Sequence, residues 1–235
     1  MAFVIIKSSL QLKNLEKTYK FIQFHRKFNE KVKIPYHITH VIFKYHFNQR
    51  IKIPQNITHL SFDIMFNQKI IIPQSITHLS FKKYNKKIKL SCNITHLIFY
   101  CDLNKKIKIP QNITYITFSD VYCQKIKIPL NVTHLNIMND FYDKKIIIGQ
   151  NIIYLNINFA YNKKLKISQN TTHITFKYLS GHTLGDNKEK IIQMLSRIKK
   201  IIVPPNVIQI STSKYVKINN MTYLPHNVII HKIIE

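Results

Sequence analysis

Apolar and polar residues alternate along this chain in short runs that return at a fixed interval. Residues 51–62 read Ile-Lys-Ile-Pro-Gln-Asn-Ile-Thr-His-Leu-Ser-Phe, with the runs Ile51-Lys52-Ile53 and Leu60-Ser61-Phe62 on either side of Pro54 and Asn56. Strict alternation of β-branched and aromatic residues with polar ones predicts half-buried strands in both runs. The unit is one of eight, anchored on Ile38, Ile57, Ile76, Ile94, Ile113, Val132, Ile152 and Thr171. The anchors step by 19 residues, except for 18 before Ile94 and 20 before Ile152. Three residues before each anchor stands Pro35, Pro54, Pro73, Ser91, Pro110, Pro129, Gly149 or Ser168. Ten before it stands Phe28, Phe47, Phe66, Tyr84, Leu103, Tyr122, Tyr142 or Tyr161, followed by Asn in six of the eight copies. All length changes fall after the Leu-x-Phe, which predicts a loop there.

A unit this small cannot bury its own apolar face. Stacking copies does so, which predicts a solenoid with rungs about 4.8 Å apart. The proline sits between the runs, where no ladder N–H is needed. The asparagine amide can bond neighbouring backbone and hold a turn. Phe66-Asn67 with Ile72-Pro73 resembles the FNIP repeat, found in social amoebae and in giant viruses that infect amoebae, and the likeness covers residues 28–176. FNIP repeats are similar to leucine-rich repeats, and Ile57-x-x-Leu60-x-Phe62 stands where that family has Leu-x-x-Leu-x-Leu. The asparagine comes later than in the leucine-rich pattern, and the copies are too short for a full helix. The resemblance thus implies a mainly β, leucine-rich-repeat-like solenoid of 19-residue repeats with short parallel strands. It also implies an adaptor role; the F-box and kinase domains of some FNIP proteins are not visible in this sequence.

The chain divides on this reading into an N-terminal cap with a degenerate first rung (1–27), the eight-copy solenoid (28–176), and a helix insertion with degenerate repeats and a C-terminal cap (177–235). Tyr19 to Phe24 lies one step before Ile38 to Phe43; Leu12, Leu15, Tyr19 and Ile22 also fit a helical stripe. Asp186 or Asn187 could cap one inserted helix near residues 187–200, with Ile191, Leu195 and Ile198 on one face. Val207, Ile210 and Thr212 resume the pattern, and Pro225 to Val228 opens a last weak copy.

Alternation also assigns the exposed faces. With Leu60 and Phe62 inward, one polar column reads His40, His59, His78, His96, Tyr115, His134, Tyr154 and His173. It is the candidate partner-binding ribbon on the concave side of a curved solenoid. The same rings could instead serve the fold alone, stacking on each other and bonding threonine hydroxyls. They should resist protonation, because stacked imidazolium ions repel. On the other run lysines face out: Lys33, Lys52, Lys89, Lys108, Lys127 and Lys166 are the candidate polyanion-binding set.

The net charge of +26 comes from 36 Lys and Arg against 10 Asp and Glu, with only three arginines. Arginine forks usually read phosphates and bases, so the lysine rows imply at most weak, salt-sensitive contact with nucleic acid or an anionic surface. An Ile-, Asn- and Lys-rich composition also follows from AT-rich codons. No phosphate-binding glycine loop, Gly-x-Ser-x-Gly, His-Glu-x-x-His or paired carboxylates occur, so neither catalytic residues, metal ligands nor a cofactor are expected. No apolar run approaches the roughly 20 residues of a membrane span, and residues 1–7 are too short for a signal-peptide core. Cys92, Cys101 and Cys123 lack metal spacing and read as thiols of a reducing compartment, the cytoplasm, or a host's cytoplasm for a viral chain. The sequence therefore predicts a non-catalytic module that binds a protein.

Overall fold

The structure, a computed structural model, describes residues 3–100, 107–119, 128–138, 148–158, 167–177, 201–213 and 221–233. The chain divides into two compact units, Met1–Ile113 and Thr114–Glu235.

In the first unit the strands are β1 (Val4–Ile6), β2 (Phe21–Phe24), β3 (His40–Phe43), β4 (His59–Phe62), β5 (His78–Phe81) and β6 (His96–Phe99). They pair in chain order, all parallel and in register: His40 lies beside His59, Val41 beside Leu60, Ile42 beside Ser61 and Phe43 beside Phe62. Between β1 and β2 lies a short helix, α1 (Ser9–Lys13), capped by Ser8, whose side chain accepts from the Gln11 amide. The solenoid thus starts earlier than the repeat shows, because Val4–Ile6 pairs with Ile22–Phe24. The Gln11 side chain closes the outer edge of β1. It accepts from the Lys7 N–H at 2.8 Å and donates to the Ile5 carbonyl at 3.0 Å.

The second unit holds β7 (Tyr115–Phe118), β8 (His134–Ile137), β9 (Tyr154–Asn158), β10 (His173–Lys177), β12 (Gln209–Ser213) and β14 (Ile229–Ile233) in one parallel order. β11 (Ile201–Ile202) and β13 (Met221–Tyr223) form a separate parallel pair. The helix expected near 187–200 lies outside the described residues.

Strands β2 to β6 and β8 insert alternate side chains into the core, whereas β7 buries three in a row and β14 buries none. In the first unit Ile22, Val41, Leu60, Leu79 and Leu97 form one buried column, and Phe24, Phe43, Phe62, Phe81 and Phe99 another. The phenylalanine rings stack from copy to copy, with centroids 4.7 Å apart from Phe24 to Phe43, 5.0 Å to Phe62 and 5.5 Å to Phe81. A second aromatic column, Phe28, Phe47, Phe66 and Tyr84, packs beside it; Phe62 and Phe66 are 3.8 Å apart. Burying a ring this size is worth about 2–3 kcal/mol, which is why a core of single-residue columns can hold short strands.

Polar side chains tie the turns of one copy to the next. The Asn29 side-chain oxygen accepts from the Asn48 N–H at 2.9 Å, and that of Asn48 accepts from the Asn67 N–H at 2.9 Å. On the other turn the Asn93 amide donates to the Gln74 carbonyl at 2.8 Å, and Asn151 to Leu130 at 2.9 Å. Thr171 stands at an isoleucine anchor fully buried, and its hydroxyl donates to the Ile152 carbonyl at 3.0 Å.

The second run departs from expectation. Ile53 is buried and Lys52 exposed as the alternation requires, yet residues 51–54 form no strand. A ladder needs N–H and C=O groups from both neighbours; five of the eight runs end at a proline without an N–H, but so do the runs of β11 and β13, at Pro204 and Pro225, so the proline alone does not decide which runs pair. Among the described residues this run pairs only at β11 and β13, so most copies contribute one strand, not two.

Candidate functional site

The register that buries the leucine and phenylalanine columns lines up the residues before them on the opposite face. In the first unit His40, His59, His78 and His96 stack with centroids 3.8, 3.9 and 4.0 Å apart and interplanar angles of 15°, 13° and 15°. Phe21 extends the column, 4.3 Å from His40 and edge-on, and Phe3 lies 6.0 Å beyond Phe21. In the second unit Tyr115, His134, Tyr154 and His173 form a comparable column, with His134–Tyr154 at 4.4 Å and Tyr154–His173 at 4.6 Å. All eight ribbon residues therefore stand in columns, four in each unit.

A threonine fixes each imidazole. The Nδ1 atoms of His40, His59, His78, His96, His134 and His173 lie 2.8 to 2.9 Å from the preceding Thr Oγ1. The threonine hydroxyl also faces a carbonyl of the previous copy: Thr77 is 3.3 Å from Thr58 O. That carbonyl already accepts the Thr77 and His78 amides at 2.9 and 3.1 Å. On distance the hydroxyl hydrogen is assigned to Nδ1, at 2.9 Å the shorter of its two outlets. This makes Nδ1 an acceptor and leaves an Nε2–H donor on each ring.

Burial lowers the pKa values of His40, His59, His78 and His134, and the charge of neighbouring rings lowers the first three further. His59 and His78, each with a ring above and below, are brought down to about 4. His40 is lowered by burial and then by His78, and His134 by burial. Around neutral pH His59 and His78 thus present uncharged N–H groups.

These rings edge a groove of about 260 Å³ in the first unit, from Phe3 to Ile98. The backbone of Val41, Leu60 and Leu79, whose side chains are buried on the other face, passes beneath it, and Ile42, Ser61, Ser80 and Ile98 form the next column. The lining contains no carboxylate. Among the described residues no cluster of His, Cys, Asp or Glu could hold a metal ion. The groove can therefore accept apolar side chains and donate hydrogen bonds to carbonyl or hydroxyl oxygens. The sequence reading began the column at His40 and missed Phe3 and Phe21. The signal for Phe21 was present, since it lies one 19-residue step before His40 and pairs with it.

Lys33, Lys52, Lys89 and Lys108 are exposed, and Ile71, in the same row, is 89% exposed. Lys127 and Lys166 lie outside the described residues. Lys31, Lys33 and Lys52 gather with Lys13 of α1 around a second groove that the sequence reading did not foresee. In the second unit a third recess follows the turn side, lined by Thr114, Thr133 and Thr172 with Asn131, Asn151 and Asn170. Its Asn151 and Asn170 amides are already donated to Leu130 and Gln150 carbonyls, at 2.9 and 3.0 Å.

The family model of the FNIP Repeat matches residues 47–84. No curated protein sequence matches the chain. Among solved structures, the circular leucine-rich-repeat protein CroV588, from the giant virus CroV, aligns with 18% sequence identity and a TM-score of 0.49. The alignment covers 93% of this chain and 44% of that one, so the chain spans less than half the length of that protein.

Proposed function

We propose that this chain, built on the FNIP repeats of residues 47–84, is a non-catalytic module that binds a protein partner through the exposed face of its strands. The groove along His40, His59, His78 and His96 carries the reading: a strip edged by Phe3, Ile42 and Ile98 and by rings fixed in a row, those of His59 and His78 uncharged around neutral pH, suits an extended segment of another chain. Tyr115, His134, Tyr154 and His173 offer a similar surface in the second unit. Absence of catalysis fits the described carboxylates of the first unit, which do not converge. Glu16 faces Thr18, Glu30 accepts from the Ser9 N–H, and Asp63 pairs with Lys82 at 3.4 Å. A cytoplasmic site of action fits the exposed free thiol of Cys92. No described helix is long and apolar enough to cross a membrane.

The experiment is affinity capture from the native cell in low and in high salt, identified by mass spectrometry. A stoichiometric protein that survives the salt and is lost on replacing His59, His78 and His96 by Ala supports the reading. Equal loss on replacing Lys108, Lys127 and Lys166 by Gln would overturn it. The exposure of Lys33, Lys52, Lys89 and Lys108 favours a second reading, non-specific binding of nucleic acid or an anionic surface. On that reading the captured material is nucleic acid or lipid and washes off in moderate salt.

A further inference from the structure

The groove around α1 shares no lining residue with the histidine groove and has a different chemistry. It encloses about 590 Å³ between α1, residues 31–36 and residues 52–54 of the next copy. Its floor is apolar. Leu12 and Ile34 are 2% and 3% exposed, and Pro35 and Pro54 complete it. Its rim is basic: Lys13, Lys31, Lys33 and Lys52 are exposed, and no acidic residue lines the groove. Glu30, the neighbouring acid, accepts from the Ser9 N–H at 2.9 Å. The ion pair found among the described residues, Lys82–Asp63, involves none of the four lysines. Tyr36 stands at the groove with 80% of its surface in solvent.

Four like charges around one apolar recess repel in the free protein, and a chain of opposite charge removes that repulsion. A nucleic acid strand would meet the lysines. Single-strand binders, however, stack successive bases on several aromatics and use arginine planes; this groove has one tyrosine and no arginine. An acidic peptide interspersed with aliphatic residues satisfies both floor and rim, and a ring beside an apolar floor is a usual contact residue.

We propose that the groove formed by α1 and the first two proline turns docks an extended acidic peptide of a partner protein. Its carboxylates face Lys13, Lys31, Lys33 and Lys52, and its aliphatic side chains lie on Leu12 and Ile34 beside Tyr36. This docking site stands apart from the histidine groove, so either can fail without the other.

The test is fluorescence anisotropy on the full chain with a labelled peptide of alternating Glu and Leu, about ten residues long, near physiological salt, where screening acts over about 8 Å. Three further samples accompany it: the Gln/Leu peptide, an oligo-dT of similar length, and a triple Lys83→Gln, Lys89→Gln, Lys108→Gln variant that removes the same charge elsewhere. Replacing Lys13, Lys33 and Lys52 by Gln should weaken the acidic peptide about tenfold or more, and Tyr36→Ala about threefold, with the control triple changing it less than about twofold. All these positions are exposed, so folding should be unaffected; Tyr36→Ala, which leaves the charge intact, decides the matter if the triple variant does not fold. Equal loss in the two triples, equal binding of the Gln/Leu peptide, no loss on Tyr36→Ala, or displacement of the peptide by oligo-dT at lower concentration would each overturn the proposal.

Discussion

Acid should loosen the first unit through its histidine column. His59 and His78 have pKa values of about 4 in the folded chain against 6.5 outside it. The unfolded chain therefore binds more protons between these values, and folding stability falls as pH drops from about 6.5 towards about 4. Above that window neither state is protonated; below it both are, and these rings cause no further loss. The gap corresponds to about 3 kcal/mol per ring. Since the rings are partly open to water, solvent screening reduces this to about 1–2 kcal/mol each. The measurement is urea unfolding at about pH 7.5 and about pH 4.5, in the wild type and in a His59→Gln, His78→Gln variant, read as stability against pH. With a urea slope of about 2 kcal/mol per molar, the two rings should account for about 1–2 M of the wild-type midpoint shift. The variant, although weaker at neutral pH for want of stacking, should lose that part of the pH dependence. A variant whose stability falls with acid as steeply as the wild type's would refute the argument, as would a wild type more stable at the lower pH.

Phe62 touches Phe43, Phe66 and Phe81 and is fully buried; Phe62→Ala should cost about 3–5 kcal/mol by thermal or urea unfolding. Asn48 accepts from the Asn67 N–H and from the Gln68 amide, so Asn48→Ala should cost about 1–2 kcal/mol. Asn48→Asp, which keeps the acceptor, should recover most of that loss. Gln11→Ala removes the seal on β1. Amide exchange should then accelerate at Lys7 while β4 and β5 stay protected, with a stability loss of about 1 kcal/mol.

The fold was legible because it is written many times over. Alternation gave the inward Leu and Phe columns and the fixed interval gave their register, so His40, His59, His78 and His96 could be placed in one stack from sequence alone. The strand at Val4–Ile6 was hidden because its copy is interrupted by α1 and lacks the proline and asparagine signals. Ile51-Lys52-Ile53 misled because alternation reports which side chains are buried and says nothing about whether backbones reach each other. The groove at Lys13 and Tyr36 was illegible for a related reason. It joins a helix, one turn and the turn of the next copy, and no period connects those positions.

Among the described copies the backbone bonds between neighbouring strands repeat with equivalent atoms, which makes the repeat a cassette. The Thr58 N–H meets the Thr39 carbonyl just as the Thr77 N–H meets the Thr58 carbonyl. Excising residues 59–77 and joining Thr58 to His78 would set His78 against His40, Leu79 against Val41 and Phe81 against Phe43, with each partner of the same kind as before. Such a chain can shrink or grow by whole copies with its strand register kept, and the proposed binding surface can be trimmed to length with it.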